Sequence, residues 1–383
     1  MQYRHFGKLN LKPSLLGFGT MRLPVVGGNP SDIDREPAIR MIRYAIDHGV
    51  NYIDTAWSYH GEQSEIVIGL ALKDGYREKV MLATKNPTWL IKKPQDWNGY
   101  LDKQLKKLDT GIDFYLQHCL DREGWEMFRK LGLWDKAMEA KKSGKIKYFG
   151  FSFHDDPDVF LEILDTYDWD FCQIQLNYLD ADYQAGLKGL ERAASKNTGV
   201  VVMEPLRGGR LVNGLPEDIA NKMKSYPVSR SPAEWGLRWV ANQPGVSVIL
   251  SGMNTLEQVK DNIRICSAPD IVPGGMSPEV LSFIGGLAEE WKAMKLIGCT
   301  GCNYCMPCPN GVHIPDCFSA YNCRHSAMAD AKRISGESYK KLTDTGHDAS
   351  QCLECGACES ACPQHLPIIE TLKKLHAEFT AKG

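Results

Sequence analysis

The chain has 383 residues, a formal net charge of −2 and 24% charged residues, so it carries no basic field for nucleic acid. Hydrophobic residues make up 43%, ample for a core, yet no apolar run approaches the ~18–20 residues that a membrane span needs. The N-terminus, MQYRHFGKLN, lacks the apolar region of a secretory signal, and a cytoplasmic location is expected. The length exceeds that of a usual single domain, and cysteine density jumps near residue 297. Two domains are therefore expected, 1–297 and 298–383.

Short β-branched or aromatic runs occur at 14–17, 50–54, 80–84, 112–117, 146–150, 171–176, 200–203 and 246–250, with helical patterns between them. One such pattern is Ala38, Ile39, Ile42, Ala45 and Ile46, opened by Pro37 and closed by Gly49. Ser231-Pro-Ala-Glu234 and Thr255-Leu-Glu-Gln258 read as capping boxes for the last two helices of the series. Eight strands alternating with helices predict an α/β fold, a (β/α)8 TIM barrel, with chemistry at the C-terminal strand ends. Gly17-Phe-Gly19 is not a dinucleotide fingerprint, because no G-x-G-x-x-G opens a helix there.

The polar residues at those ends are Asp54 and Tyr59 after strand two, Lys85 after strand three and His118 at the end of strand four. Singly they also read as a turn cap, a solvated lysine or a core histidine. Together they can build a tyrosine proton donor whose pKa is lowered by an ammonium that a carboxylate holds in place.

With Leu16-Gly-Phe-Gly-Thr20, Asn51-Tyr-Ile-Asp54-Thr-Ala-Trp-Ser-Tyr59, Leu82-Ala-Thr-Lys85, Leu116-Gln-His118, Gly150-Phe-Ser152, Gln173-Ile-Gln-Leu-Asn177 and Gly252-Met-Asn-Thr-Leu-Glu-Gln258, the chain resembles an aldo-keto reductase over roughly residues 1–265. The resemblance implies that Tyr59 protonates the carbonyl oxygen while hydride arrives from NAD(H) or NADP(H). Lys85 and Asp54 would tune Tyr59, and His118 would orient the small carbonyl or alcohol substrate. It also implies Ser152 and Gln173 at the nicotinamide carboxamide and Met203 where many members stack an aromatic ring. Leu206, Gly208 and Gly209 would follow the pyrophosphate, and Gly252, Thr255, Gln258 and Asn262 the adenosine phosphate. Gly252 and Gln258 stand where NADPH-specific members have cations, which favours NADH. Arg207 and Arg210 are either an alternative source of phosphate charge or solvated loop residues. Arg22 is read either as a cofactor or substrate contact or as a surface ion pair.

Eight of the thirteen cysteines form two runs, Cys299-x2-Cys302-x2-Cys305-x2-Cys308-Pro309 and Cys352-x2-Cys355-x2-Cys358-x3-Cys362-Pro363. This is iron–sulfur spacing, in which the fourth cysteine of a run ligates the other cluster. One [4Fe-4S] cluster is expected on Cys299, Cys302, Cys305 and Cys362, and a second on Cys352, Cys355, Cys358 and Cys308. Paired zinc ribbons are the competing reading. The first run is one residue short before Cys308, so Cys317 or Cys323 is an alternative to that one ligand. Helices are expected over 315–332, 337–342 and 367–379, making a small, mainly α-helical ferredoxin-like domain.

From Cys299 onward, eight lysines or arginines face nine aspartates or glutamates, so thiolate binding leaves the module anionic and suited to a basic electron-transfer partner protein. The combined reading is a carbonyl–alcohol oxidoreductase whose clusters exchange electrons with that partner. A redox or oxygen sensor, and a reductase with purely structural clusters, are the alternatives. Hydride moves two electrons and a cluster takes one, so a flavin is considered too, either in the barrel groove or on the partner.

Overall fold

The computed structural model describes residues 1–294, 296–325 and 330–381. Among these, β1 (Leu16–Gly19), β2 (Tyr52–Asp54), β3 (Met81–Asn86), β4 (Ile112–Leu120), β5 (Ile146–Phe153), β6 (Phe171–Gln175), β7 (Gly199–Met203) and β8 (Val246–Gly252) pair in parallel, in order, into a closed barrel. Closure is by β1 against β8, with Leu16 opposite Ile249 and Gly19 opposite Gly252. Each strand expected from the sequence is present. β1 starts two residues later than the run at 14–17, because Ser14 pairs with Tyr3 in an antiparallel bridge and its hydroxyl donates to the Leu16 carbonyl. β2 starts at Tyr52 because the Val50 N–H still bonds to Ala45 and finishes the preceding helix.

The helix Arg35–Asp47 has the expected apolar face, with Ala38, Ile42, Ala45 and Ile46 buried, but Met41 is buried in place of the half-exposed Ile39. Helix Leu256–Ser267 begins as its capping box predicts, Thr255 Oγ1 accepting the Gln258 N–H at 3.2 Å. Glu234 is held by Arg238 at 2.8 Å and Arg264 at 2.9 Å.

The floor of the barrel is a cluster of rings. Phe6, fully buried, packs with centroids 5.0 Å from Phe114, 5.9 Å from Phe171 and 6.2 Å from Tyr52. The short antiparallel bridge between Phe6 and Leu9 brings that ring under the strands. A packed floor leaves the opposite, C-terminal end of the strands as the open one.

Contacts divide the chain into two compact units, Met1–Leu206 with Ala233–Pro278, and Arg207–Pro232 with Glu279–Gly383. In the second unit, helices Ile314–Arg324, Ala331–Asp344 and Ile368–Thr380 surround a core that includes Phe318, Tyr339, Leu372 and Leu375. The helix expected over 315–332 is two: it ends at Arg324, and a second starts at Ala331 after Asp330 in the left-handed region (φ 60°). Positions 326–329 of that expected helix lie outside the described residues. The second helix absorbs the one expected at 337–342. No helix among the described residues is long and apolar enough to cross a membrane.

Replacing Phe6 by Ala removes the ring that packs on β2, β4 and β6 and should cost about 3–5 kcal/mol. Urea unfolding followed by tryptophan fluorescence should show the unfolding free energy fall by that amount and the midpoint move to lower urea, while the helical unit keeps its own transition.

Candidate active site and candidate cluster centres

β2 ends on Asp54, β3 carries Lys85 and β4 carries His118, so three adjacent strands deliver three side chains to one end of the barrel. Lys85 Nζ donates to Asp54 Oδ1 at 2.5 Å, to the Thr55 carbonyl at 2.7 Å and to Tyr59 Oη at 3.3 Å. The lysine side chain has no exposure and the Asp54 side chain 3%. The β2 end is held by a hydroxyl chain: Thr20 Oγ1 donates to the Asp54 carbonyl at 2.9 Å and lies 2.8 Å from Ser64 Oγ, itself 2.9 Å from Thr55 Oγ1.

β4 shifts register between Gln117 and Leu120, and Cys119 takes φ 56°. That bulge re-aims the strand at His118. The imidazole lies edge-on to the Tyr59 ring, centroids 6.0 Å apart, and 5.2 Å from Trp89, whose indole is 47% exposed. The four expected residues are thus brought together, and Trp89 joins them from the segment after β3.

Electrostatics differ from expectation at Tyr59. Burial first, then the charge of Asp54, pushes the phenol well above its ordinary pKa. The expected lowering by the ammonium fails because Lys85 faces a carboxylate at 2.5 Å, which cancels its field at the phenol. Tyr59 is therefore held protonated. Burial also works against charge on both Lys85 and Asp54, each partly restored by the other. Burial, then Lys85 and His154, push His118 well below its ordinary value, so the imidazole is neutral.

Glu65 was not foreseen. It is fully buried, and its Oε1 accepts from Thr84 Oγ1 at 2.7 Å and Gln104 Nε2 at 2.6 Å, while Gln104 also donates to the Lys85 carbonyl at 3.0 Å. Its only sequence signal is an acid on the face of an otherwise apolar helix, Ser64–Ala71. Burial raises its pKa, which favours a proton on the carboxyl beneath Lys85.

On the cofactor side, Ser152 and Gln173 are register partners on β5 and β6. Ser152 Oγ accepts the Cys119 N–H at 2.8 Å. Gln173 Nε2 points to Met203 Sδ at 3.5 Å, and its Oε1, in a residue 2% exposed, has no hydrogen-bond partner among the described residues. An unpaired buried acceptor costs ~1–3 kcal/mol. The N–H donors of a nicotinamide carboxamide are the right complement, so these residues fit that group. Leu206 packs against Gly236. At the end of β8, a Cβ on Gly252 would meet the Arg22 side chain at 3.2 Å, so the arginine stem lies on that glycine and its charge reaches Tyr59. Gln258 Oε1 accepts the Asn254 N–H at 2.9 Å, and Asn262 donates to Ser251 Oγ at 3.0 Å. Gly208 (φ 65°), Gly209 (φ 91°) and Arg210 belong to the second unit, where Arg210 Nη1 donates to the carbonyls of Ile297 and Cys299. It is not a solvated loop residue.

The cysteines separate into two cavities. Cys299, Cys302, Cys305 and Cys362 line one, and Cys308, Cys352, Cys355 and Cys358 line the other, with Ile314 in the wall of both. Neither Cys317 nor Cys323 lines either one; their Sγ atoms lie 3.9 Å from the carbonyls of His347 and Ala331. The two runs share a backbone device. The residues before and after the second cysteine are left-handed in both: Gly301 and Asn303 (φ 64° and 65°), Glu354 and Gly356 (φ 57° and 77°). That curl turns amides inward, and the Gly301 N–H reaches Cys299 Sγ at 3.4 Å. Burial first, then Cys302, Cys299 and Cys362, push the Cys305 thiol up to about 12. No three His, Cys, Asp or Glu side chains among the described residues converge as one metal ion requires. Thiolates spread around a void instead fit a cluster, in which each binds a different iron.

Because His118 has a folded pKa well below 6.5, the unfolded chain binds its proton more readily. Barrel stability is then full above about pH 6.5 and falls as pH drops below it. Urea midpoints measured at pH 5 and pH 7 should differ, and the difference should shrink in His118→Asn.

The Aldo/keto reductase family matches residues 15–272, and the 4Fe-4S dicluster domain matches residues 298–366. An uncharacterized oxidoreductase of Bacillus subtilis, YrpG, is 26% identical over 74% of this chain and all of its own length. The NADH-specific methylglyoxal reductase of Escherichia coli is 28% identical over 67% of this chain and 91% of its own. Among solved structures, the holo form of the aldo-keto reductase AKR11C1 from Bacillus halodurans superposes with a TM-score of 0.63 at 26% identity, covering 75% of this chain and 96% of that one. With the barrel, the strand-end tetrad and a family match over most of its length, this chain belongs to the aldo/keto reductase family of oxidoreductases and carries a C-terminal 4Fe-4S domain.

Proposed function

We propose that the chain is a cytoplasmic enzyme interconverting a small carbonyl and its alcohol at Tyr59, with a barrel domain over 1–297 and an electron-transfer domain over 298–383 that holds two clusters. Convergence of Lys85, Asp54 and Tyr59 at 2.5 and 3.3 Å carries the catalytic reading. A bound nicotinamide would supply or remove hydride, and the two cysteine sets would hold clusters that exchange single electrons with a partner protein, the hydride pair being divided into single electrons by a flavin in the barrel groove or on that partner. Tyr59, kept protonated by burial, donates its proton to the carbonyl oxygen in reduction and takes it back in oxidation. Neutral His118 points the carbonyl at Tyr59 without competing as an acid. Lys85 holds the phenol in place, and Trp89 closes the substrate side.

NADH is the favoured dinucleotide. Gly252 carries no cation of its own, and Gln258 is occupied by the Asn254 N–H at 2.9 Å. A name among the relatives points the same way, the NADH-specific methylglyoxal reductase. The cavity with Cys299, Cys302, Cys305 and Cys362, and that with Cys308, Cys352, Cys355 and Cys358, support crossed ligation.

Tyr59→Phe should lower carbonyl reduction by roughly 10²–10⁴-fold, the usual worth of a positioned acid. The same variant should still bind dinucleotide, NADH at least as tightly as NADPH by fluorescence titration. Retained activity with small aldehydes would sink the tetrad as a catalytic device.

Anaerobically purified protein should contain about eight iron and eight sulfide per chain. Cys308→Ser should damage the cluster of the second run, and Cys362→Ser that of the first. Stoichiometric zinc without sulfide would end the electron-transfer reading.

A further inference from the structure

Arg210 lies in the loop after β7, and its guanidinium is engaged at the first cysteine run. Nη1 donates to the Ile297 carbonyl at 3.1 Å and to the carbonyl of Cys299, the first cysteine lining its cavity. The same Ile297 carbonyl accepts from Asn322 Nδ2 at 2.9 Å, and Asn322 Oδ1 accepts the Ile297 N–H at 2.8 Å. The approach is built by three successive left-handed residues, Arg207, Gly208 and Gly209 (φ 49°, 65° and 91°). Two of them are glycines, which adopt that region without steric cost. Arg207 comes close as well: its Nη2 lies 3.1 Å from where a Cβ on Gly298 would stand.

Two guanidinium groups therefore flank the segment that leads into Cys299. The second cysteine set differs. A cation beside it, Lys373, is exposed and paired at 2.7 Å with Glu354, which lines that cavity. A thiolate-bound iron–sulfur cluster is anionic and gains a further negative charge on reduction, so a fixed, half-buried cation favours its reduced form, whereas an exposed, neutralised one barely does.

We propose that Arg210 is a positioning residue that raises the reduction potential of the cluster on Cys299, Cys302, Cys305 and Cys362 above that of its neighbour, making it the one reduced first. The inference rests on the reading that both sets hold clusters. An iron-free wild-type protein would defeat that reading directly, a result distinct from any potential measured below.

The test is an anaerobic redox titration with soluble mediators, followed by electron paramagnetic resonance, on wild type, Arg210→Gln and Arg210→Lys. It needs neither carbonyl substrate nor nicotinamide. Cys355→Ser, which removes the second cluster, assigns the signals. In Arg210→Gln the midpoint of the first cluster should fall by at least a tenfold change in its one-electron equilibrium constant, which is 59 mV. The other midpoint should hold, and Lys should restore most of the loss. Unchanged midpoints in a fully loaded Arg210→Gln, an equal fall at both clusters, or a fall that Lys does not restore would overturn the proposal. If Arg210→Gln fails to load, Arg210→Met carries the test with the same readout. A tenfold or greater fall at the first cluster alone then supports the proposal, and an unchanged midpoint overturns it.

Discussion

A buried ammonium governs the open end of this barrel. Lys85 has no exposure, so its charge survives only by the contacts it makes, to Asp54 at 2.5 Å and the Thr55 carbonyl at 2.7 Å. A charge taken from water without such partners costs several kcal/mol, and even a good pair only roughly repays that penalty. Much of the surrounding packing is explained by the need to keep the pair formed. Thr20 fixes the carbonyl of Asp54, Ser64 links the hydroxyls of Thr20 and Thr55, and Gln104 fixes the carbonyl of Lys85 itself. Tyr59 is placed 3.3 Å from the ammonium as a result.

The same pair shapes the acid. Were Lys85 unmatched, its field would pull the Tyr59 phenol down toward ionisation. With Asp54 beside it the field nearly cancels, and burial decides, so the phenol stays protonated. His118 is pushed the other way by the same burial and by Lys85, and stays neutral. Two groups with ordinary pKa values on opposite sides of neutrality are thereby both held uncharged, a state suited to hydrogen bonding a neutral carbonyl.

The cysteine module solves a different problem, that of gathering eight thiols in a unit with a small core. Each run supplies three cysteines to one cavity and sends its fourth to the other, so neither set can be completed unless both runs are folded. Helices between and after the runs provide the packing, with Ile314 as the partition. Stacked His313 and His347, 4.2 Å apart, and the bond from Asn310 to the Gln351 carbonyl tie the end of the first run to the start of the second.

Much was legible in the chain because it is local. The alternation of β-branched runs with helical periodicity determines the barrel, since each unit must bury its own face. The C-x2-C spacing brings the first three cysteines of each run to one cavity, since it reflects the reach of consecutive side chains. The tetrad was readable as polar residues at strand ends. The direction of the Tyr59 pKa was not, because it depends on how closely Asp54, 31 residues away from Lys85, meets it in space. The bulge at Cys119, the Glu65 contact to Gln104 and the Trp89 approach to His118 were equally silent. So was Arg210, which meets a carbonyl 89 residues further on. Sequence alone thus set which elements exist and which side chains are available at the candidate sites. Tertiary structure decided the electrostatics, because burial and charge separation arise only when distant segments are packed together.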